Sequence, residues 1–173
     1  MRVAVCASLA FAAGCGGGAG RTAPRPPEAG AGMFASAAPL ESLTWPALRP
    51  TGVEAFDPAT LHGRWVLVQA MTTSCAPCDA QLADAQAVAR RFDLTWIVLL
   101  LDAQPERVAP RFAETYALDA TLLLAPPGAR TGALPLGKVE ALPEYWLVDP
   151  TGQVRGRFSG FLPVTQVEVL LAR

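Results

Sequence analysis

The chain predicts an α/β fold: a central mixed β-sheet with helices on both faces. Three observations carry this. Residues 65–71 and 95–101 are continuous apolar runs with the length and β-branched content of buried strands. Each is followed by a stretch whose apolar residues recur at helical spacing, over 76–92 and 105–116. Near the C-terminus, residues 145–148 and 154–158 flank Asp149-Pro150-Thr151-Gly152, a sequence with hairpin-turn chemistry, which adds an antiparallel edge.

In chain order, Met1-Arg2 supplies a short positive start and residues 3–13 form an apolar run of signal-peptide length. The run is too short to span a bilayer as a helix. It ends in Ala12-Ala13-Gly14-Cys15 and then three glycines, which resembles a bacterial lipobox, although Ala12 stands where Leu is usual. Residues 1–14 are therefore read as a lipoprotein signal peptide and Cys15 as the lipidated new N-terminus. Cleavage near Ala35-Ser36-Ala37, releasing a soluble protein, is the alternative. Residues 16 to about 50 are rich in Gly, Ala and Pro with no sustained period, so 15–52 reads as a lipidated N-terminus and flexible linker.

The ordered domain is expected over 53–173. His62-Gly63 is turn-like and precedes the first strand, 65–71. The helix over 76–92 is alanine-rich and places Leu82, Ala85, Val88, Ala89 and Phe92 on one face. The strand over 95–101 is apolar throughout, as a central strand covered on both sides should be. The second helix has Pro105 in its first turn and Val108, Phe112 and Tyr116 every four residues. Residues 121–125 read as a short strand, and the Pro- and Gly-rich 126–138 carry no readable period. The hairpin follows, and residues 163–172 close the chain as a short helix.

Composition excludes one class of function. The net charge is -1 and the basic residues are scattered, so nothing points to nucleic acid. The cysteines point elsewhere. Of four, Cys6 lies in the segment to be removed and Cys15 would carry lipid, leaving Cys75 and Cys78 as thiols. In an oxidising compartment such a pair cycles with partners, closes as a local disulfide, or binds something. A structural bridge over so short a loop gains little chain entropy. A zinc site needs four ligands, and beyond this pair the mature chain offers only His62, so no metal is expected. Copper assembly of the kind that uses paired cysteines needs a histidine downstream of them, and none follows His62. His62 itself reads as a turn residue.

Ser74-Cys75-Ala76-Pro77-Cys78 lies where a buried strand gives way to a helix. Cys75 then sits at the helix N-terminus, where unpaired N–H groups and the positive dipole end favour a thiolate over the free thiol of pKa about 8.5. Cys78, one turn in, is within disulfide reach and more shielded. An exposed nucleophile and a shielded resolving thiol are what thiol–disulfide exchange requires.

Gly63-Arg64-Trp65-Val66-Leu67-Val68-Gln69, the Cys75-Ala76-Pro77-Cys78 motif, and Ala141-Leu142-Pro143-Glu144-Tyr145-Trp146-Leu147-Val148-Asp149 with Gly152 resemble the TlpA/ResA/CcmG group of thioredoxin-like proteins, over roughly residues 53–172. The resemblance implies a thioredoxin-like fold and a membrane-anchored thiol–disulfide oxidoreductase facing the cell envelope. By position, Cys75 matches the attacking cysteine, Cys78 the resolving cysteine, and Pro143 a cis-proline facing them. The substrate-facing surface would be Ala76, Pro77, Leu142 and Pro143, with the Leu142 backbone offered to an incoming peptide. The implied partners are a disulfide-bonded envelope protein, a membrane donor of thiols, and the membrane itself through the lipid. Relatives serve apocytochrome c, a copper-centre protein or a sporulation factor. No organic cofactor is implied, only a redox-active disulfide.

Three positions depart from the group. Ser74 stands where Trp is usual, removing part of an apolar lip. Gln69 stands where thioredoxins carry a buried Asp and TlpA-like proteins often Asn, and a neutral amide cannot accept a proton from Cys78. Asp79 follows Cys78 where a basic residue is common, and its charge opposes thiolate formation. Trp65, Trp96 and Trp146 are expected in strands as core or groove packing, and Trp45 in or near the tether. Asp102, after the second strand, stands toward the end of the sheet where ligands gather, or simply terminates the strand. Two other readings use the same residues: a disulfide oxidase or isomerase, and a non-catalytic binding module with Cys75 and Cys78 permanently closed.

Overall fold

The order β-α-β-α-β, hairpin and helix is realised in a computed structural model that describes residues 40–173. β3 (Val66–Met71), β4 (Thr95–Leu100) and β5 (Thr121–Leu124) are parallel neighbours, joined by α1 (Ala76–Arg91) and α2 (Pro105–Tyr116). β8 (Glu144–Val148) runs antiparallel beside β3, β9 (Val154–Ser159) pairs with β8, and α3 (Val164–Leu171) closes the chain. The Pro- and Gly-rich stretch after β5 holds a two-stranded ribbon, β6 (Ala133–Leu134) and β7 (Gly137–Lys138). The hairpin turn forms as expected. Gly152 takes a φ of 83°, a left-handed conformation that suits glycine, and donates to the Asp149 carbonyl.

The fold begins earlier than the expected boundary at Val53. Leu40 to Ser42 form a 3₁₀ turn, and β1 (Ala47–Arg49) with β2 (Gly52–Glu54) forms a hairpin at one edge of the sheet. The full order is β2-β1-β5-β4-β3-β8-β9. Residues 40–52, read as linker, are thus part of the domain. β1 pairs with β5 and would otherwise leave that strand as an edge. Leu40, Leu43 and Ala47 are buried, and Trp45 packs against them. Strands of three residues bounded by Pro46 and Pro50 are too short to show a period, which is why they read as tether.

Side chains of β3 alternate strictly between two cores. Leu67 and Met71 join Cys78, Leu82, Ala109, Phe112 and Val167, so α1, α2 and α3 all pack on one face. Val66, Val68 and Ala70 join Leu40, Phe56, Leu61, Leu134 and Val139 on the other. Helical cover on both faces is therefore unequal: α-helices on one, short 3₁₀ turns and the 134–139 segment on the other. The reason is topological. The crossovers β3-α1-β4 and β4-α2-β5 step the same way across the sheet, and right-handed crossovers then put both helices on the same side. Trp96 and Trp146 are buried in the sheet as expected, while Trp65 is half-buried just before β3.

Candidate active site

α1 begins at the C-terminal end of β3, and its N-cap is Cys75. Cys75 has extended backbone geometry, and its Sγ accepts a hydrogen bond from the Cys78 N–H at 3.3 Å. Its carbonyl accepts from the N–H groups of Cys78 and Asp79 at 2.9 and 3.1 Å. The sulfur therefore stands among the donors of a helix N-terminus, an environment that stabilises negative charge on it. Cys75 and Cys78 are joined as a disulfide, with Cα atoms 5.2 Å apart. Cys75 is half-buried and Cys78 fully buried, so one sulfur faces the solvent side and the other the core. Ala76 and Pro77 are exposed on the first turn of α1.

Beside Cys75 lies an open groove of about 380 Å³. One wall is Thr72, Ser74 and Cys75; the other is Val139, Glu140, Ala141 and Leu142, with Arg130 at its margin. The Leu142–Pro143 bond is cis, Pro143 is buried, and its carbonyl accepts from Gly160 N–H at 2.8 Å. The structure thus brings Leu142 into the groove that holds Cys75, while Pro143 is buried and does not line it. Cys15 lies outside the described residues.

Asp102 does more than end β4. Its carboxylate accepts from the Thr73 N–H at 3.0 and 3.2 Å and from the Thr73 hydroxyl at 2.8 Å, pinning the loop that leads into Cys75. Gln69 is fully buried on the α1 face opposite Tyr145 in the β3–β8 register. Its amide nitrogen reaches only the Met71 sulfur at 3.8 Å, and its Oε1 has no partner among the described residues. Burial, followed by the charge of Asp84, pushes the Tyr145 hydroxyl far above the ordinary tyrosine range, so it stays protonated. His62 precedes β3, at the opposite end of the strand from Cys75, and pairs with Glu41 at 3.4 Å. Among the described residues no three His, Cys, Asp or Glu side chains gather as a metal site would need.

Sequence reasoning missed Glu144. It is fully buried on the face away from α1 and receives hydrogen bonds from Arg157 Nε at 2.6 Å and Ser159 Oγ at 2.9 Å. Burial alone would raise its carboxyl. Hydrogen bonds from Arg157, the Glu140 N–H and Ser159, with the Arg157 charge, outweigh that and hold it below the usual carboxylate range. The available signal was an acidic residue opening an otherwise apolar strand, with Arg155 and Arg157 alternating along the next one.

A model of the AhpC/TSA family matches residues 40–157, most of the chain. The chain belongs to the AhpC/TSA family. Solved structures agree on the fold of this family member. A DsbF homologue from Corynebacterium diphtheriae superposes with a TM-score of 0.62 at 15% identity, covering 75% of this chain and 84% of that one. A secreted Mycobacterium tuberculosis disulfide oxidoreductase homologous to E. coli DsbE gives 0.57 at 20% identity, over 76% and 97%. A DsbE-type thiol:disulfide interchange protein from Chlorobium tepidum gives 0.55 at 22%, over 74% and 90%. Among curated proteins no significant sequence match is found. The AhpC/TSA chain thus has a thioredoxin-like fold of the thiol–disulfide oxidoreductase type, carrying a Cys75–Cys78 disulfide.

Proposed function

We propose that this protein is a thiol–disulfide oxidoreductase that reduces disulfides of cell-envelope proteins, within the TlpA/ResA/CcmG-like group. The observation that carries the reading is the half-buried Cys75 capping α1, bonded to a fully buried Cys78 and open to a groove. In the reduced pair, the Cys75 thiolate attacks a substrate disulfide, forming a mixed disulfide and expelling one substrate thiolate. Cys78 gives up its proton and attacks Cys75 Sγ, releasing the second substrate thiolate and closing the Cys75–Cys78 bond. The substrate gains two electrons and the pair loses two; a donor dithiol restores them. The docking surface proposed for the substrate is Leu142, which lines the groove with Cys75, together with Pro143 after it and the exposed Ala76 and Pro77 on the first turn of α1. The described chemistry calls on no organic cofactor.

Proline as the second intervening residue supports the reducing direction, because it resembles the more reducing members of the superfamily. The secreted relatives of the same fold support a location outside the cytoplasm. A lipid on Cys15 would hold the protein at a membrane, within reach of a membrane donor. If Cys15→Ala left membrane association in cell fractions unchanged, the anchor reading would fail.

The function is tested by insulin reduction with a dithiol donor and by titration of the Cys75/Cys78 pair, counting free thiols by alkylation and mass. Turnover is expected and should vanish in Cys75→Ser, with a midpoint near about -270 mV. A midpoint near about -120 mV would make the protein a disulfide donor. No turnover with any dithiol would favour a non-catalytic module.

A further inference from the structure

The groove wall opposite Cys75 is not held by the sheet. Among the described residues, residues 139–142 belong to no strand or helix. No backbone–backbone hydrogen bond of the turns and loops reaches them. Val139 and Leu142 pack against the cores through their side chains, and the backbone between them hydrogen-bonds to a single carboxylate. Glu144 Oε2 accepts from the Glu140 N–H at 3.0 Å and lies 3.5 Å from the Ala141 N–H. Its other oxygen holds Arg157 Nε, and Arg157 Nη2 donates to the carbonyl of Lys138, the last residue of β7 and the one before this segment. Arg157 also lies over the Trp146 ring, 5.8 Å from its centroid, and is only 20% exposed.

A pair this buried is costly to desolvate, and two apolar residues would join β8 to β9 as well or better. What an apolar pair could not supply is an acceptor for two N–H groups and a donor for one carbonyl in and beside an irregular segment. The two N–H groups belong to the wall, and the carbonyl is that of Lys138, the last residue of β7, from which the wall departs. The β3–β8 register ends with Ala70 opposite Glu144, and just beyond it Thr72 and Leu142 line the same groove as Cys75.

We propose that Glu144, together with Arg157, is a positioning residue that shapes the docking wall 139–142 for a disulfide-bonded polypeptide. This rests on the oxidoreductase reading above. The pair touches neither sulfur, so it governs how a protein substrate is held rather than the exchange of electrons. A small disulfide, which has no chain to lay along the wall, depends on it less.

The test is steady-state reduction of insulin by the full chain, wild type against Glu144→Gln, alongside a small aromatic disulfide. The variant is expected to raise KM for insulin about tenfold with kcat held within about twofold, the pattern of lost substrate binding. The loss should be at least about fivefold larger for insulin than for the small disulfide, with the Cys75/Cys78 midpoint unmoved. Amide exchange at Glu140 and Ala141 should quicken about tenfold as their acceptor weakens. Arg157→Gln should also raise KM, and Arg157→Lys should restore part of it. An unchanged KM, or equal losses for insulin and the small disulfide, overturns the proposal. So does a shifted midpoint, which would put Glu144 in the sulfur chemistry. If Glu144→Gln fails to fold, the partly exposed Arg157→Lys and Arg157→Gln pair decides by the same readouts. A wild-type chain that reduces nothing would instead bring down the oxidoreductase reading itself.

Discussion

At the scale of single residues, the site is set by what each side chain accepts or donates. Asp102 holds Thr73, two residues before Cys75, by three contacts of 2.8–3.2 Å. Asp102→Ala leaves the half-buried Thr73 N–H without its partner, and should lower the unfolding free energy by about 1–2 kcal/mol. Asp102→Asn, which keeps an acceptor, should cost less. Urea denaturation of both variants checks this, and a midpoint for Asp102→Ala equal to wild type would show that water replaces the carboxylate. Cys75, Cys78 and the proline before β8 were legible because each belongs to a local motif. Glu144 was not: its partners Arg157 and Ser159 are 13 and 15 residues away. Gln69 sits fully buried on the α1 face with Oε1 unpaired among the described residues, so a neutral amide and not an acid stands there.

At the scale of elements, periodicity served where the element is long enough to show it. α1 has sixteen residues and buries Leu82, Ala85, Val88 and Ala89, the face read from spacing. β3 and β4 are buried along nearly their whole length, so continuous apolar runs located them. The β8–β9 hairpin was marked by its turn, where the Asp149 carboxylate accepts from Thr151 and Gln153. β1 and β2 escaped because three residues span less than two alternations, and β1 is stabilised by pairing with β5, far along the chain, while β2 pairs only with β1. The ribbon β6–β7 escaped for the same reason, with two residues in each strand.

At the scale of the whole molecule, two buried carboxylates link the cores to pH. Glu144 and Asp149 are each pushed up by burial, but hydrogen bonds outweigh it and hold both below the usual range. Arg157 is the leading donor to Glu144, and Thr151 to Asp149. A carboxyl lowered in the folded state contributes stability that is present above its unfolded value and is lost as pH falls through the folded one. Resistance to urea should therefore be flat from neutrality to about pH 5 and decline below about pH 4, where unfolded carboxyls take up protons. Glu144→Gln should decline less steeply. An unfolding midpoint unchanged down to about pH 3 would show that neither group is coupled to folding.

The same division separates what could be read along the chain from what needed the assembled sheet. The redox pair, the strand–helix junction that carries it and the hairpin behind it follow from neighbours in sequence. Helix and turn formation are driven by contacts a few residues apart, and those leave a period or a motif. The edge hairpin at residues 47–54, the one-sided placement of the α-helices and the Glu144–Arg157 support of the groove wall do not. Their free energy comes from burial and hydrogen bonds between segments that meet only when the sheet has formed. A residue such as Glu144 carries only a faint mark in sequence, because the partners that make its burial tolerable meet it only when the fold closes.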